Sequence, residues 1–317
     1  MEKYVYMVRS HGNVIEKLLD ENGFKYYTGD GLFKLEILSR CEVLLPGGRV
    51  TVDKKILDQA PYLRLIVKSG VGYDRIDIES CTSRGIYVAN TPGTNSISVA
   101  EHTLALMLAV AKRLYPISLS LRCDHPDFWC RDRYEGMELN GKTICIVGLG
   151  NIGRRVAKLA EAFGMQVVGY DPFAKQSVVP VPVEVYTNLN EALAVADFVT
   201  LHVPGGADTF HMINTASFDC MKGDAILINA SRGSVVDQDA LIEALQAGKI
   251  AGAGLDVFEE EPLRPENPLI AMEHVVLTPH CAGNTGEAHL RIQYGCMENI
   301  LDFYAGKRPR YAVNELS

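Results

Sequence analysis

Apolar and polar positions along the chain follow two alternating rhythms. Short runs rich in Val, Ile, Leu and Ala are separated by longer stretches with helical spacing. The short runs predict strands at 4–8, 42–45, 64–68 and 86–88, then at 143–147, 166–170, 198–202, 225–229, 253–256 and 274–278. Several are continuously apolar, as strands covered by helices on both faces are. Strands that alternate with helices predict an α/β fold built from doubly wound parallel sheets. Helix boundaries are marked as well. Asn188 with Glu191 reads as a capping box, and Asp237 as an N-cap. Gly164 and Gly248 read as the glycines that close helices.

Three stretches stand apart. Residues 96–114 carry Ile97, Val99, Ala100, Leu104, Leu106, Met107, Leu108, Val110 and Leu114, which predicts a helix buried on all sides, between two domains or two subunits. The last helix has a seam of Leu290, Tyr294, Met297, Leu301 and Tyr304, read as its packing face and closed by Gly306. Residues 122–141 are polar and aperiodic, with Pro126, Phe128 and the sole tryptophan, Trp129. They read as an excursion that packs on its own domain or on a second subunit, where aromatic residues are enriched.

Composition narrows the class. A chain of 317 residues suggests two domains at roughly 150 residues each. With 31 Lys and Arg against 39 Asp and Glu, the net charge of −8 argues against nucleic acid and anionic membranes as partners. The longest strictly apolar run, 104–111, is far short of the roughly 20 residues that cross a bilayer. The start, Met1-Glu2-Lys3-Tyr4, lacks the apolar stretch of a signal peptide, so a cytoplasmic protein is expected. Eight cysteines without a C-x-x-C pair fit a reducing compartment. Cys123, His125 and Cys130 match no zinc spacing, and no metal is expected.

The candidate chemistry begins where the apolar run 143–147 meets Gly148-Leu149-Gly150-Asn151-Ile152-Gly153 and a helical pattern follows. This is G-x-G-x-x-G between a strand and a helix. Gly148 makes the tight turn, Gly150 lets a pyrophosphate approach, and Gly153 lets the helix pack on the strand. Amides at the helix start would hold the phosphates. The next strand ends at Asp171, 18 residues after Gly153. A carboxylate there accepts the ribose hydroxyls and repels a 2′-phosphate, which predicts NAD rather than NADP. About 140 residues precede the turn, so another domain comes before the cofactor domain.

Three further groups sit just past apolar strands: Arg232, the acidic run Glu259-Glu260-Glu261, and His280. Carboxyl ends of parallel strands line the ligand crevice. Arginine offers a planar fork for a carboxylate and its neighbouring carbonyl. Histidine can give or take a hydroxyl proton, and a carboxylate partner orients its ring. Spacing leaves the choice among the three glutamates open. These groups suit a 2-keto or 2-hydroxy acid.

The chain resembles the D-isomer-specific 2-hydroxyacid dehydrogenase family, especially short phosphoglycerate-dehydrogenase-like members. The likeness spans nearly the whole chain. It rests on 68–77 (KSGVGYDRID), 85–93 (GIYVANTPG), 99–103 (VAEHT), 148–153, 229–233 (NASRG), Asp256 to Phe258 with Glu261-Pro262, and Thr278-Pro279-His280. It implies a catalytic Arg232, Glu261 and His280, so Glu261 becomes the partner of His280. It implies NAD contacts at Asn151, Ile152, Asp171, Ala230, Ser231, Arg232, Asp256 and His280, with Cys281 to Gly283 beside the nicotinamide. It implies substrate contacts at Gly70, Val71, Gly72 and Arg232. It also implies a discontinuous substrate domain, 1–97 with 286–317, interrupted by a Rossmann-like cofactor domain, 98–285. Closure of the two lobes and a homodimer formed through the region after the apolar helix complete the expectation.

Two features depart from the family. The chain ends at Ser317, so serine feedback through a C-terminal regulatory domain is not expected. Cys281 follows the histidine directly and is expected to make activity oxidant-sensitive. Which acid is turned over stays open. Hydroxypyruvate, glyoxylate and 3-phosphoglycerate are alternatives, the last needing cations such as Arg49, Lys68 and Arg75. A separate alternative is an NAD(H)-sensing, corepressor-like binding protein.

Overall fold

A computed structural model describes residues 4–47, 50–122, 129, 131–173 and 181–316. The chain divides into two compact units, Met1–Asn95 with Asn284–Ser317, and Ser96–Gly283.

The first unit is built on β1 (Tyr4–Met7), β2 (Lys25–Thr28), β3 (Val43–Leu45), β4 (Leu65–Val67) and β5 (Tyr87–Ala89). They pair in parallel in the order β2-β1-β3-β4-β5. Helices α1 (Asn13–Glu21), α2 (Leu35–Leu38), α3 (Lys54–Asp58) and α4 (Ile78–Ser83) run between the strands. Alternate residues feed two apolar layers. Tyr6, Leu44, Ile66 and Val88 lie in one, and Val5, Met7, Val43 and Leu65 in the other. Both faces are therefore covered, which explains the continuous apolar runs.

The second unit opens with α5 (Ser96–Ala111) and α6 (Leu114–Arg122). Its sheet holds β6 (Thr143–Val147), β7 (Gln166–Tyr170), β8 (Glu184–Tyr186), β9 (Phe198–Leu201), β10 (Ile226–Asn229), β11 (Gly252–Leu255) and β12 (Val275–Leu277). The parallel order is β12-β11-β10-β9-β6-β7-β8, so strand order reverses at β6. Helices α7 (Gly153–Ala162), α8 (Leu189–Val195), α9 (Thr215–Cys220) and α10 (Gln238–Gln246) complete the unit. Asn188 and Asp237 cap α8 and α10 by accepting from Asn190 N and Ala240 N. Gly164 and Gly248 follow helices at φ +74° and +67°.

The long apolar helix differs from its expectation in two ways. It is not buried on all sides, because Ile97, Glu101 and Ala105 form an exposed stripe. It also stops at Ala111, and α6 leaves at 65° to it. Arg113 takes φ +52° at the break. Pro116 lacks the N–H that a continuous helix would donate to the carbonyl of Lys112. Among the described residues no single helix is long and apolar enough to cross a membrane.

The returning segment forms α11 (Gly286–Tyr304), which packs on the first unit. Its seam is only in part its buried face: Met297 is buried and Tyr304 packs on the core. Leu290, Tyr294 and Leu301 are exposed, while Gln293, Cys296, Met297, Asn299 and Ile300 are buried. Polar side chains rather than leucines set this face. Gln293 Oε1 accepts from Ile15 N at 3.0 Å, and Asn299 Nδ2 donates to Asn90 O at 3.0 Å. The tail after α11 is stitched to β5 by Asn314. Its Oδ1 accepts from Val88 N at 2.8 Å, and its Nδ2 donates to Ile86 O at 2.9 Å.

Replacing Asn314 by Ala strands a buried N–H and a buried carbonyl. At about 1–3 kcal/mol for each orphaned group, urea unfolding followed by circular dichroism should show a clear loss of stability.

Candidate active site

The glycine turn links β6 to α7 as the pattern required. Gly148 sits at φ +96°, and a Cβ there would lie 2.7 Å from His202 O. A Cβ on Gly153 would lie 2.0 Å from Gly148 O. Gly150 meets nothing within 4 Å, so the turn presents open backbone to a ligand. Asp171 follows β7, and its Oδ2 accepts from Leu149 N at 2.8 Å. Its Oδ1 accepts from Phe173 N at 2.8 Å. The carboxylate is thus fixed beside the turn, where an adenosine ribose would lie. His202, half-buried behind Gly148, is held neutral: burial pushes it down to about 3. Turn and carboxylate together fit a dinucleotide.

Ala230, Ser231 and Arg232 follow β10. Asn229 folds this segment, its Oδ1 accepting from Ser231 N at 3.0 Å and its Nδ2 donating to Arg232 O at 2.9 Å. Gly233 touches the Phe258 backbone so closely that a Cβ would overlap it at 1.9 Å. Ile152 packs with Val99, Ala230 and Ala282 in a small apolar cluster. That cluster joins the glycine turn, the segment after β10 and the segment after His280.

The acidic run separates into three partners. Glu261 Oε2 lies 2.8 Å from His280 Nδ1, and its Oε1 accepts from Phe258 N at 3.2 Å. Glu260 accepts from Arg264 at 2.8 Å. Glu259 pairs with His211. The His280 side chain is 51% exposed, with Nε2 left toward solvent by the Nδ1 contact. Its backbone takes φ +52°, a left-handed conformation that costs a non-glycine residue about 1–2 kcal/mol.

What holds that backbone is Asp256, only 1% exposed at the end of β11. Its Oδ1 accepts from Cys281 N at 2.9 Å, its Oδ2 from Ala282 N at 2.8 Å, and its main-chain oxygen from His280 N at 2.7 Å. Thr278 donates its hydroxyl to Oδ1 at 2.6 Å, and His102 Nε2 lies 3.0 Å from the same hydroxyl. Sequence spacing missed His102 and Thr278 as partners, because they are 176 residues apart. Gly283 ends this unit.

Gly70, Val71 and Gly72 belong to the other unit, just past β4. Gly70, at φ +117°, donates its N–H to Thr91 Oγ1 at 2.9 Å, and Val71 O accepts from Asn90 Nδ2 at 2.7 Å. Lys68 is buried, its Nζ donating to Gly47 O at 3.0 Å. Arg75 is exposed. Arg49, Cys123, His125, Pro126, Phe128 and Cys130 lie outside the described residues.

A family model described as the NAD binding domain of D-isomer specific 2-hydroxyacid dehydrogenase matches residues 104–282. The chain belongs to that family. The D-3-phosphoglycerate dehydrogenase of Archaeoglobus fulgidus is 39% identical over 298 residues, 93% of this chain. This chain spans only 56% of that relative's length. The glyoxylate reductase of Korarchaeum cryptofilum is 40% identical over 282 residues, 89% of this chain and 85% of the relative. Among solved structures, D-lactate dehydrogenase from Aquifex aeolicus, complexed with NAD and lactic acid, superposes with a TM-score of 0.85. It is 31% identical and covers 96% of each chain. The match to the family's NAD binding domain falls within the unit Ser96–Gly283.

Cys281 does not suit the oxidant-sensing part that its position suggested. Burial first, then the charge of Asp256, pushes its thiol up. The thiolate is the reactive form, so this upward push disfavours reaction near neutrality. Iodoacetamide labelling read peptide by peptide should therefore show Cys281 reacting slowly at pH 7 and accelerating only at alkaline pH.

Proposed function

We propose that this protein is an NAD-dependent dehydrogenase that interconverts a small 2-keto acid and its D-2-hydroxy acid. The observation that carries the reading is the Glu261–His280 pair at 2.8 Å on the same sheet edge as Arg232 and the glycine turn. Gly148, Gly150, Asn151, Ile152 and Gly153 hold the pyrophosphate, and Asp171 the adenosine ribose. Ala230, Ser231, Asp256 and Gly283 line the nicotinamide side. A reduced nicotinamide held by these residues would supply the hydride for the carbonyl carbon. His280 gives its Nε2 proton to the carbonyl oxygen, leaving a neutral ring whose Nδ1–H stays on Glu261. Arg232 holds the substrate carboxylate and its neighbouring oxygen in a planar fork. In the unit we assign to substrate, the amides of Val71 and Gly72 are offered to a substrate carboxylate, and the Gly70 N–H braces the turn on Thr91 Oγ1.

A small unphosphorylated acid such as glyoxylate or hydroxypyruvate is favoured. Glyoxylate reductases match over most of their own length, and Lys68 is already engaged with Gly47 O. We further place the enzyme in the cytoplasm as a homodimer. The dimer reading rests on α6, whose Leu114, Tyr115, Leu119 and Leu121 are exposed in the single chain.

The test is a panel of glyoxylate, hydroxypyruvate, pyruvate and phosphohydroxypyruvate, each with NADH and NADPH. One unphosphorylated acid should be reduced with NADH in preference to NADPH, and His280→Ala should lower kcat by about 10²–10⁴-fold. Preferred turnover of phosphohydroxypyruvate would move the reading to 3-phosphoglycerate. Tight NADH binding without turnover of any acid would move it to a nucleotide sensor.

The dimer has its own check. Leu119→Asp should convert a dimer to a monomer in sedimentation velocity; a wild-type monomer would overturn it.

A further inference from the structure

We propose that His102 and Thr278 form a positioning relay that sets the geometry of His280 through the buried carboxylate of Asp256. The proposal rests on the dehydrogenase reading above and adds two residues to its site.

The direction of the relay follows from counting protons. A threonine hydroxyl has one proton to give. Thr278 gives it to Asp256 Oδ1, at 2.6 Å. Thr278 Oγ1 itself lies 3.0 Å from His102 Nε2, so there it accepts, and Nε2 of His102 carries a hydrogen. The donors run one way: His102 to Thr278, Thr278 to Asp256. Asp256 then receives Cys281 N, Ala282 N and, on its main-chain oxygen, His280 N. Three consecutive amides are gathered by one residue. They fix the segment in which His280 holds its left-handed backbone and meets Glu261. The outer end of the relay sits on α5, a sixteen-residue helix. A helix holds an angle more closely than a loop does.

His102, Asp256 and Cys281 also place a possible donor set within 4.8 Å, a combination zinc accepts. Hydrogen bonds already occupy both Asp256 oxygens, and the Cys281 thiol stays protonated. A relay uses these contacts as they stand, whereas a metal would have to break them.

Removing the hydroxyl leaves Asp256 Oδ1 short of a donor, and the carboxylate must turn or take in water. The amides after His280 move with it. The full chain is compared as wild type, Thr278→Val, Thr278→Ser, His102→Ala and, as a marker, His280→Ala. Thr278→Val should lower kcat for the best keto acid by about 10- to 100-fold, the scale expected of a small misplacement of a reacting group. The keto-acid KM should change little, and Thr278→Ser should restore kcat. His102→Ala should act in the same direction, which keeps the test open should Thr278→Val fold poorly. The ring-proton NMR resonance of His280, identified by its loss in His280→Ala, should shift in Thr278→Val and return in Thr278→Ser.

Wild-type turnover of any acid in the panel tests the dehydrogenase reading separately. If no acid is turned over, that reading fails, and the resonance alone decides the relay. An unmoved resonance, full activity in Thr278→Val, or a Thr278→Ser protein as impaired as Thr278→Val overturns the relay.

Discussion

A carboxylate buried at the end of a parallel strand has to be matched by donors, because an unpaired charge is far costlier inside a protein than in water. Asp256 meets that demand from its own neighbourhood. The chain leaving β12 turns after Pro279 and brings two amides to the carboxylate and a third to the main-chain oxygen. The strained backbone of His280 is the geometric result. Gly233 meets a second form of the same crowding. Only a residue without a Cβ lets the segment after β10 lie against the Phe258 backbone. The carboxyl edge of this sheet is therefore rigid where the proposed chemistry needs rigidity.

Much of this was legible in the sequence, for local reasons. The glycine turn needs a fixed spacing between a strand and a helix. The strands buried on both faces announce themselves as apolar runs. Two of the four edge strands do not: β2 reads Lys-Tyr-Tyr-Thr and β8 Glu-Val-Tyr, too polar to stand out, and neither was expected, whereas the apolar edges β5 and β12 were. The α11 seam misled for a related reason. Leucine spacing identifies a face of a helix but not which face is buried, and Gln293 and Asn299 win because they satisfy buried backbone groups. The break after Ala111 was written in Pro116 yet hidden by the apolar run around it. The choice among Glu259, Glu260 and Glu261 was open from spacing alone, since all three follow β11. His102 and Thr278 come together only through tertiary packing.

Overall likeness does not choose a substrate. Relatives named for phosphoglycerate and for glyoxylate match the chain at 39% and 40% identity. A fold hosts many activities, and specificity resides in a few side chains.

The stitching of Asn314 to β5 also bears on how the chain is made. Val88 N cannot find its partner until Asn314 has been synthesised, more than two hundred positions later. The unit Ser96–Gly283, by contrast, has all of its own chain once residue 283 has emerged. Domains fold as units during synthesis, and contacts distant in sequence form late. The inserted unit is thus free to fold on the ribosome while the strands made first wait, partly uncovered, for α11. Chaperones would meet this protein chiefly through its earliest residues.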